Sequence, residues 1–142
     1  MSFILHPTNV LKIGGTVLIL LGLVGLSGVT GSLSWFSLDT GENVAHIVLG
    51  IVGLAVAFGT SDERIHRGLV AVLAITGLAF GLAGFVLPDG GALANGAYAK
   101  PNFFGLANLE NPADNILHFV VGIWTAASAL TYRGMVMAET RP

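Results

Sequence analysis

A chain of 142 residues that is 54% hydrophobic and only 10% charged cannot cover a water-facing surface, because soluble domains carry about 25% charged residues. The mean hydropathy of +0.81 agrees, and the composition is that of an integral membrane protein whose first partner is the lipid bilayer. A formal net charge of −2 with no basic stripe excludes a nucleic-acid partner, and the absence of cysteine excludes disulfides, thiolate metal sites and cysteine nucleophiles.

The first apolar run, Val10–Val29, is longer than the core of a secretory signal and is read as a retained span. Gly22, Gly25, Gly28 and Gly31 recur along it, a spacing that lets a second helix approach closely. The short loop Gly31–Leu38 follows, with Trp35 and Phe36 placed for the headgroup zone. A second span is expected over Asn43–Gly59, with Asp39 as its cap. The charged turn Thr60–Arg67 comes next, and His66 in it reads as a solvated residue or headgroup contact. The third span, Gly68–Leu87, carries Gly77-x-x-x-Gly81. The outer loop 88–110 has turn chemistry at Gly90-Gly91, Asn95-Gly96 and Lys100-Pro101. Its Tyr98, Phe103 and Phe104 are expected at the headgroups, and its length suits a partner surface. The fourth span is Ala113–Tyr132, with Trp124 read as a packing residue.

Each run approaches the roughly 20 residues needed to cross hydrocarbon, and backbone groups in lipid must be paired within the segment. The expected fold is therefore all-α, a single four-span membrane bundle. Lys12, Arg64, Arg67, Arg133 and Arg141 fall on one side of this arrangement and only Lys100 on the other. The positive-inside rule then places both termini in the cytoplasm.

One phrase occurs twice. Asp39-Thr-Gly-Glu42-Asn43-Val-Ala-His46 and Asn111-Pro-Ala-Asp114-Asn115-Ile-Leu-His118 match at a constant separation of 72 positions, and Gly50 and Gly122 extend the match. The copies imply two parallel-repeat helical hairpins. Asp39 and Asn111 read as N-caps, with Glu42 and Asp114 three residues on and Pro112 at the first helical position. His46 and His118 then share one depth, about 10 Å beyond their caps, on the helix face that also carries the acids and amides.

Polar groups at that depth are costly and call for partners. One reading is a structural polar clasp in which Glu42, Asn43, His46, Asp114, Asn115 and His118 hydrogen-bond between spans two and four, each bond contributing about 0.6–2 kcal/mol. A second makes His46 and His118 axial ligands of a haem b, or single ligands of chlorophylls. The neighbouring acids count against haem, whose propionates prefer basic residues, and no bound cofactor is the default. A third is a small proton or solute transporter, although only Thr16, Ser27 and Thr76 in spans one and three continue the polar path. Zinc held by the two histidines and two acids is weaker, since capping occupies the acids.

The paired N-x-x-H-x-x-x-G motif on the even-numbered spans resembles the bacterial four-helix membrane proteins of domain-of-unknown-function family 4383. The second copy, through Asn115-Ile-Leu-His118, is the more specific match, and Asn43-Val-Ala-His46 the looser one. The resemblance covers spans one to four and implies a four-span fold with a shared Asn/His pair, but brings no reaction or cofactor. No nucleophile–base set or phosphate-binding loop is visible, so no enzyme is expected. The expected role is a small accessory subunit of a respiratory or photosynthetic complex, docked on other membrane-protein subunits in a bacterial inner or photosynthetic membrane.

Overall fold

The computed structural model describes residues 2–29, 40–86, 102–103, 107–108 and 113–139, with side chains through Tyr132 in the last segment and none in the two pairs before it. A single 3-10 turn at Phe3–Leu5 leads into α1 (Pro7–Leu26), followed by α2 (Thr40–Gly59), α3 (Glu63–Val86) and α4 (Ala113–Glu139). Between α3 and α4, β1 (Asn102–Phe103) pairs antiparallel with β2 (Ala107–Asn108). The caps Asp39 and Asn111, Pro112, and the aromatic residues Trp35, Phe36, Tyr98 and Phe104 lie outside the described residues.

All four helices are long and apolar enough to cross a membrane. Only 28–33% of each apolar window is buried inside the bundle. Ile75, Leu130 and Phe58 are 70%, 68% and 71% exposed, an outward apolar wall that suits acyl chains and would be costly in water.

The helix ends differ from the hydropathy boundaries for local reasons. Pro7 opens α1 three residues early, since a missing donor costs nothing at the first helical position. Ser27 closes it, and Gly28 takes the left-handed φ of 79° that ends helices. Asp62 caps α3 by accepting the Arg64 N–H at 2.8 Å, which starts that helix inside the charged turn.

Two hairpins dominate the packing, α1 with α2 and α3 with α4, and the hairpins touch more sparsely. Glycine makes the close approach feasible. A Cβ on Gly15 would lie 2.9 Å from the Gly50 carbonyl oxygen, and one on Gly77 would lie 3.1 Å from Gly122 Cα. Each pair is therefore in backbone-to-backbone contact. Between the hairpins, Val10, Leu11, Ala57, Val70 and Ala129 form the buried core. These residues lie near the start of α1, the end of α2, the start of α3 and the latter part of α4, so the bundle is closed at that one end.

A candidate ligand site between the hairpins

Above this closed floor lies a cavity of about 280 Å³, lined by residues of all four helices. Val10 and Leu11 belong to both the core and the cavity wall. Gly14, Leu73, Phe80 and Val121 give the wall its apolar character, and Glu42, His46, His118, Thr76 and Thr125 are its polar members. The two threonine hydroxyls are spent on their own helices, Thr76 donating to the Val72 carbonyl at 2.9 Å and Thr125 to the Val121 carbonyl at 2.8 Å. The imidazoles and Glu42 are the other polar members of the wall.

The repeated phrase divides into two functions. Asn43 packs its carboxamide against Gly25 of α1, and Asn115 packs its own against Gly84 of α3. In both, the side-chain oxygen occupies the place a Cβ would take, which puts it in reach of a Cα–H···O contact from the glycine. The backbone carbonyls repeat the relation, Asn43 O facing Gly22 and Asn115 O facing Gly81. The amides thus bind within each hairpin. Asn115 is 0% exposed, and its amide atoms have no conventional hydrogen-bond partner, so the fit against Gly84 is the contact it has.

The histidines face the other way, into the shared cavity. They come from α2 and α4, which sit diagonally: among the described residues, no Cα pair between these helices is within 8 Å. His118 Nδ1 lies 3.0 Å from the Asp114 backbone carbonyl and 3.2 Å from its Oδ1. Both are acceptors, so Nδ1 carries the hydrogen, and in the neutral ring Nε2 presents a lone pair. Phe80 fixes the ring by stacking at 5.6 Å between centroids with planes 28° apart. His46 Nδ1 is buried and has no hydrogen-bond partner. Glu42 and Asp114 are only 3% and 1% exposed.

No protein-family model, curated protein or solved structure matches this chain. The site therefore stands on its geometry.

Sequence reading missed a second polar cluster, at the closed end. His66, expected in solvent, is 1% exposed. Its Nε2 donates to the Val56 carbonyl at 3.1 Å, and its Nδ1 pairs with the Thr8 hydroxyl at 2.8 Å. The single Thr8 hydroxyl hydrogen is shared between His66 Nδ1 and Glu63 Oε1, the latter at 2.6 Å. This cluster ties α1, α2 and α3 together because α3 begins at Glu63, which turns His66, the fourth residue of the helix, inward. Ser128, 0% exposed, donates to the Leu5 carbonyl at 2.7 Å, and Trp124 Nε1 donates to the Ile4 carbonyl at 2.9 Å. The charged run Asp62–Arg67 was the available signal: a histidine three positions beyond a glutamate at a helix start shares its face.

Among the described residues no group of three or more His, Asp and Glu could hold a metal ion. The arrangement instead offers an apolar chamber with one imidazole from each hairpin in its wall.

Proposed function

We propose that this protein is a small accessory membrane subunit that holds a flat, lipid-soluble molecule between its two hairpins, using His46 and His118 as the polar contacts. The observation that carries this reading is the convergence of both imidazoles, from diagonal helices, on one cavity walled by all four helices. A small number of placed polar groups in an apolar chamber is the usual form of a small-molecule site. The exposed apolar faces support a subunit role, since they suit neighbouring membrane helices as well as lipid.

The recurring Gly25–Asn43 and Gly84–Asn115 fits support a parallel internal repeat with its axis along the membrane normal. The bias of Lys and Arg supports cytoplasmic termini and a bacterial inner or photosynthetic membrane. On this reading the amides of the expected clasp lock each hairpin, and the histidines and acids serve the ligand. A transport path gains no support, because Val10, Leu11 and Val70 close the chamber below the histidines.

Haem b is the second reading. The lone pair that the Asp114 contact leaves on His118 Nε2 is what an axial ligand needs. The rest of the site does not fit it: Glu42 lines the cavity, and among the described residues no Lys or Arg does. A volume of about 280 Å³ is also at the lower edge of the range of roughly 300–1,000 Å³ for ligand pockets, which suits one or two fused rings better than a tetrapyrrole.

The test is purification in mild detergent, followed by a visible spectrum and organic extraction with mass spectrometry. We expect a flat apolar molecule that is recovered from the wild type and lost in the His46→Leu, His118→Leu double variant. A protein from which nothing is extracted, and which binds no aromatic probe when reconstituted, would refute the reading.

A further inference from the structure

We propose that the cavity holds a single-tailed amphiphile, its flat polar head level with His46 and His118 and its hydrocarbon tail running between the hairpins to the floor at Val10 and Leu11. This rests on the reading of the cavity as a ligand site and adds the ligand's shape and direction.

The cavity is long for its volume. Val10 and Leu21 of α1 both line it, and so do Glu42 and Gly53 of α2. Each pair is eleven positions apart, a rise of about 16 Å along a helix. A head of one or two fused rings is much shorter than that, so a ring alone leaves part of the space empty. Spread over the same rise, a volume of about 280 Å³ gives a mean cross-section of about 17 Å². One extended hydrocarbon chain passes such a section, and two side by side do not.

The wall also changes character along its length. His46 and His118 each stand eleven positions, about 16 Å, before the floor-core residue of their own helix, Ala57 and Ala129. Glu42 is one turn farther from the floor than His46. The lower wall is Leu11, Gly14, Gly53, Leu73 and Trp124. Thr76 and Thr125 have their hydroxyls bonded within their own helices. Polar groups at one end and an apolar slot below them complement the two halves of an amphiphile. Lipid tails outside are already in apolar surroundings, so burial from water does not draw a tail into the slot. The gain is contact, because the wall of an unfilled apolar space lacks the partner atoms that a chain supplies. Affinity therefore follows tail length down to the floor and no further.

The experiment uses the full chain in lipid nanodiscs, carrying Trp35→Phe so that emission comes from Trp124 alone. Trp124 lies six positions, about 9 Å, below His118, within reach of an octyl tail. The probes are para-ethylphenol, para-octylphenol and para-hexadecylphenol. Binding is measured by equilibrium dialysis against protein-free nanodiscs, which corrects for partition into lipid. We expect octylphenol to bind at least tenfold more tightly than ethylphenol, and hexadecylphenol to gain nothing more. Two brominated octylphenols read the direction, one labelled on the ring and one on the terminal carbon. The terminal bromine should quench Trp124 at least threefold more than the ring bromine, and excess unlabelled octylphenol should reverse the quenching. Gly14→Leu fills the lower slot, since a Cβ there stands 3.8 Å from the Trp124 ring, an ordinary contact. By dialysis it should weaken octylphenol at least tenfold and leave ethylphenol unchanged.

Equal affinity for ethylphenol and octylphenol would overturn the inference and leave the cavity reading standing, as would a ring bromine that quenches as strongly as the terminal one. A lysophospholipid of equal tail length that binds more tightly than octylphenol would also overturn it, by making a membrane lipid the occupant. Failure of every phenol and of the lysophospholipid to bind would remove both.

Discussion

The fit of Asn115 against Gly84 can be tested by adding a single methyl group. A Cβ at Gly84 would coincide with the Asn115 carboxamide oxygen and come within 2.8 Å of its nitrogen. Asn115 is 0% exposed, so the amide cannot swing out to relieve the collision. Overpacking a closed site of this kind costs about 1–3 kcal/mol, and the gain in helix propensity from Gly to Ala returns up to about 1. Gly84→Ala should therefore destabilise the bundle by about 1–2 kcal/mol, which shifts the folding equilibrium roughly tenfold. Gly68→Ala is the control, because nothing lies within 4 Å of a Cβ there, and it should be neutral or slightly stabilising. Unfolding is followed by circular dichroism in mixed micelles of mild detergent and dodecyl sulfate. Combining Gly84→Ala with Asn115→Ala removes the colliding atoms, so the double variant should be more stable than the sum of the two single effects by about 1–2 kcal/mol. Strict additivity, or a Gly84→Ala protein as stable as Gly68→Ala, would refute the fit.

The same substitution in the first hairpin, Gly25→Ala, should cost a similar amount and be relieved by Asn43→Ala, since the contact recurs there; a tolerated Gly25→Ala in the same micelle assay would break the equivalence. His66→Ala removes contacts to Val56 and Thr8 in a fully buried position and should cost about 2–4 kcal/mol, measured as an earlier unfolding midpoint. Ser128→Ala leaves the Leu5 carbonyl without its donor, a loss of about 1 kcal/mol, and should raise hydrogen exchange in residues 3–5 while leaving ligand binding intact.

The sequence revealed much of the architecture because lipid imposes a simple rule: long apolar runs become helices. All four helices and their approximate centres follow from that. Their ends did not, since Pro7, Ser27-Gly28 and Asp62 act through local hydrogen bonding that hydropathy does not register. Three residues of the repeat, His46, His118 and Glu42, meet at one cavity. It did not show that Asn43 and Asn115 would turn toward glycines of their own hairpins, because helical spacing fixes a face only to within a wide sector. His66 looked exposed because its neighbours are charged, yet its rotation about α3 carries it under α1. The contacts of Trp124 and Ser128 with Ile4 and Leu5 join the chain's beginning to its last helix, and no periodicity encodes a pairing of that range. The two-residue strands between α3 and α4 were likewise invisible to a reading built on apolar runs.

The glycine-to-carbonyl contacts inside each hairpin have a mechanical corollary. Helices joined backbone to backbone have little side-chain cushion to compress, so each pair behaves as a stiff plank. Compliance is left to the seam between planks, held at one end by Val10, Leu11 and Val70. The chamber can therefore change width by a tilt about that pinned end, like the jaws of a peg, without disturbing either interlocked pair.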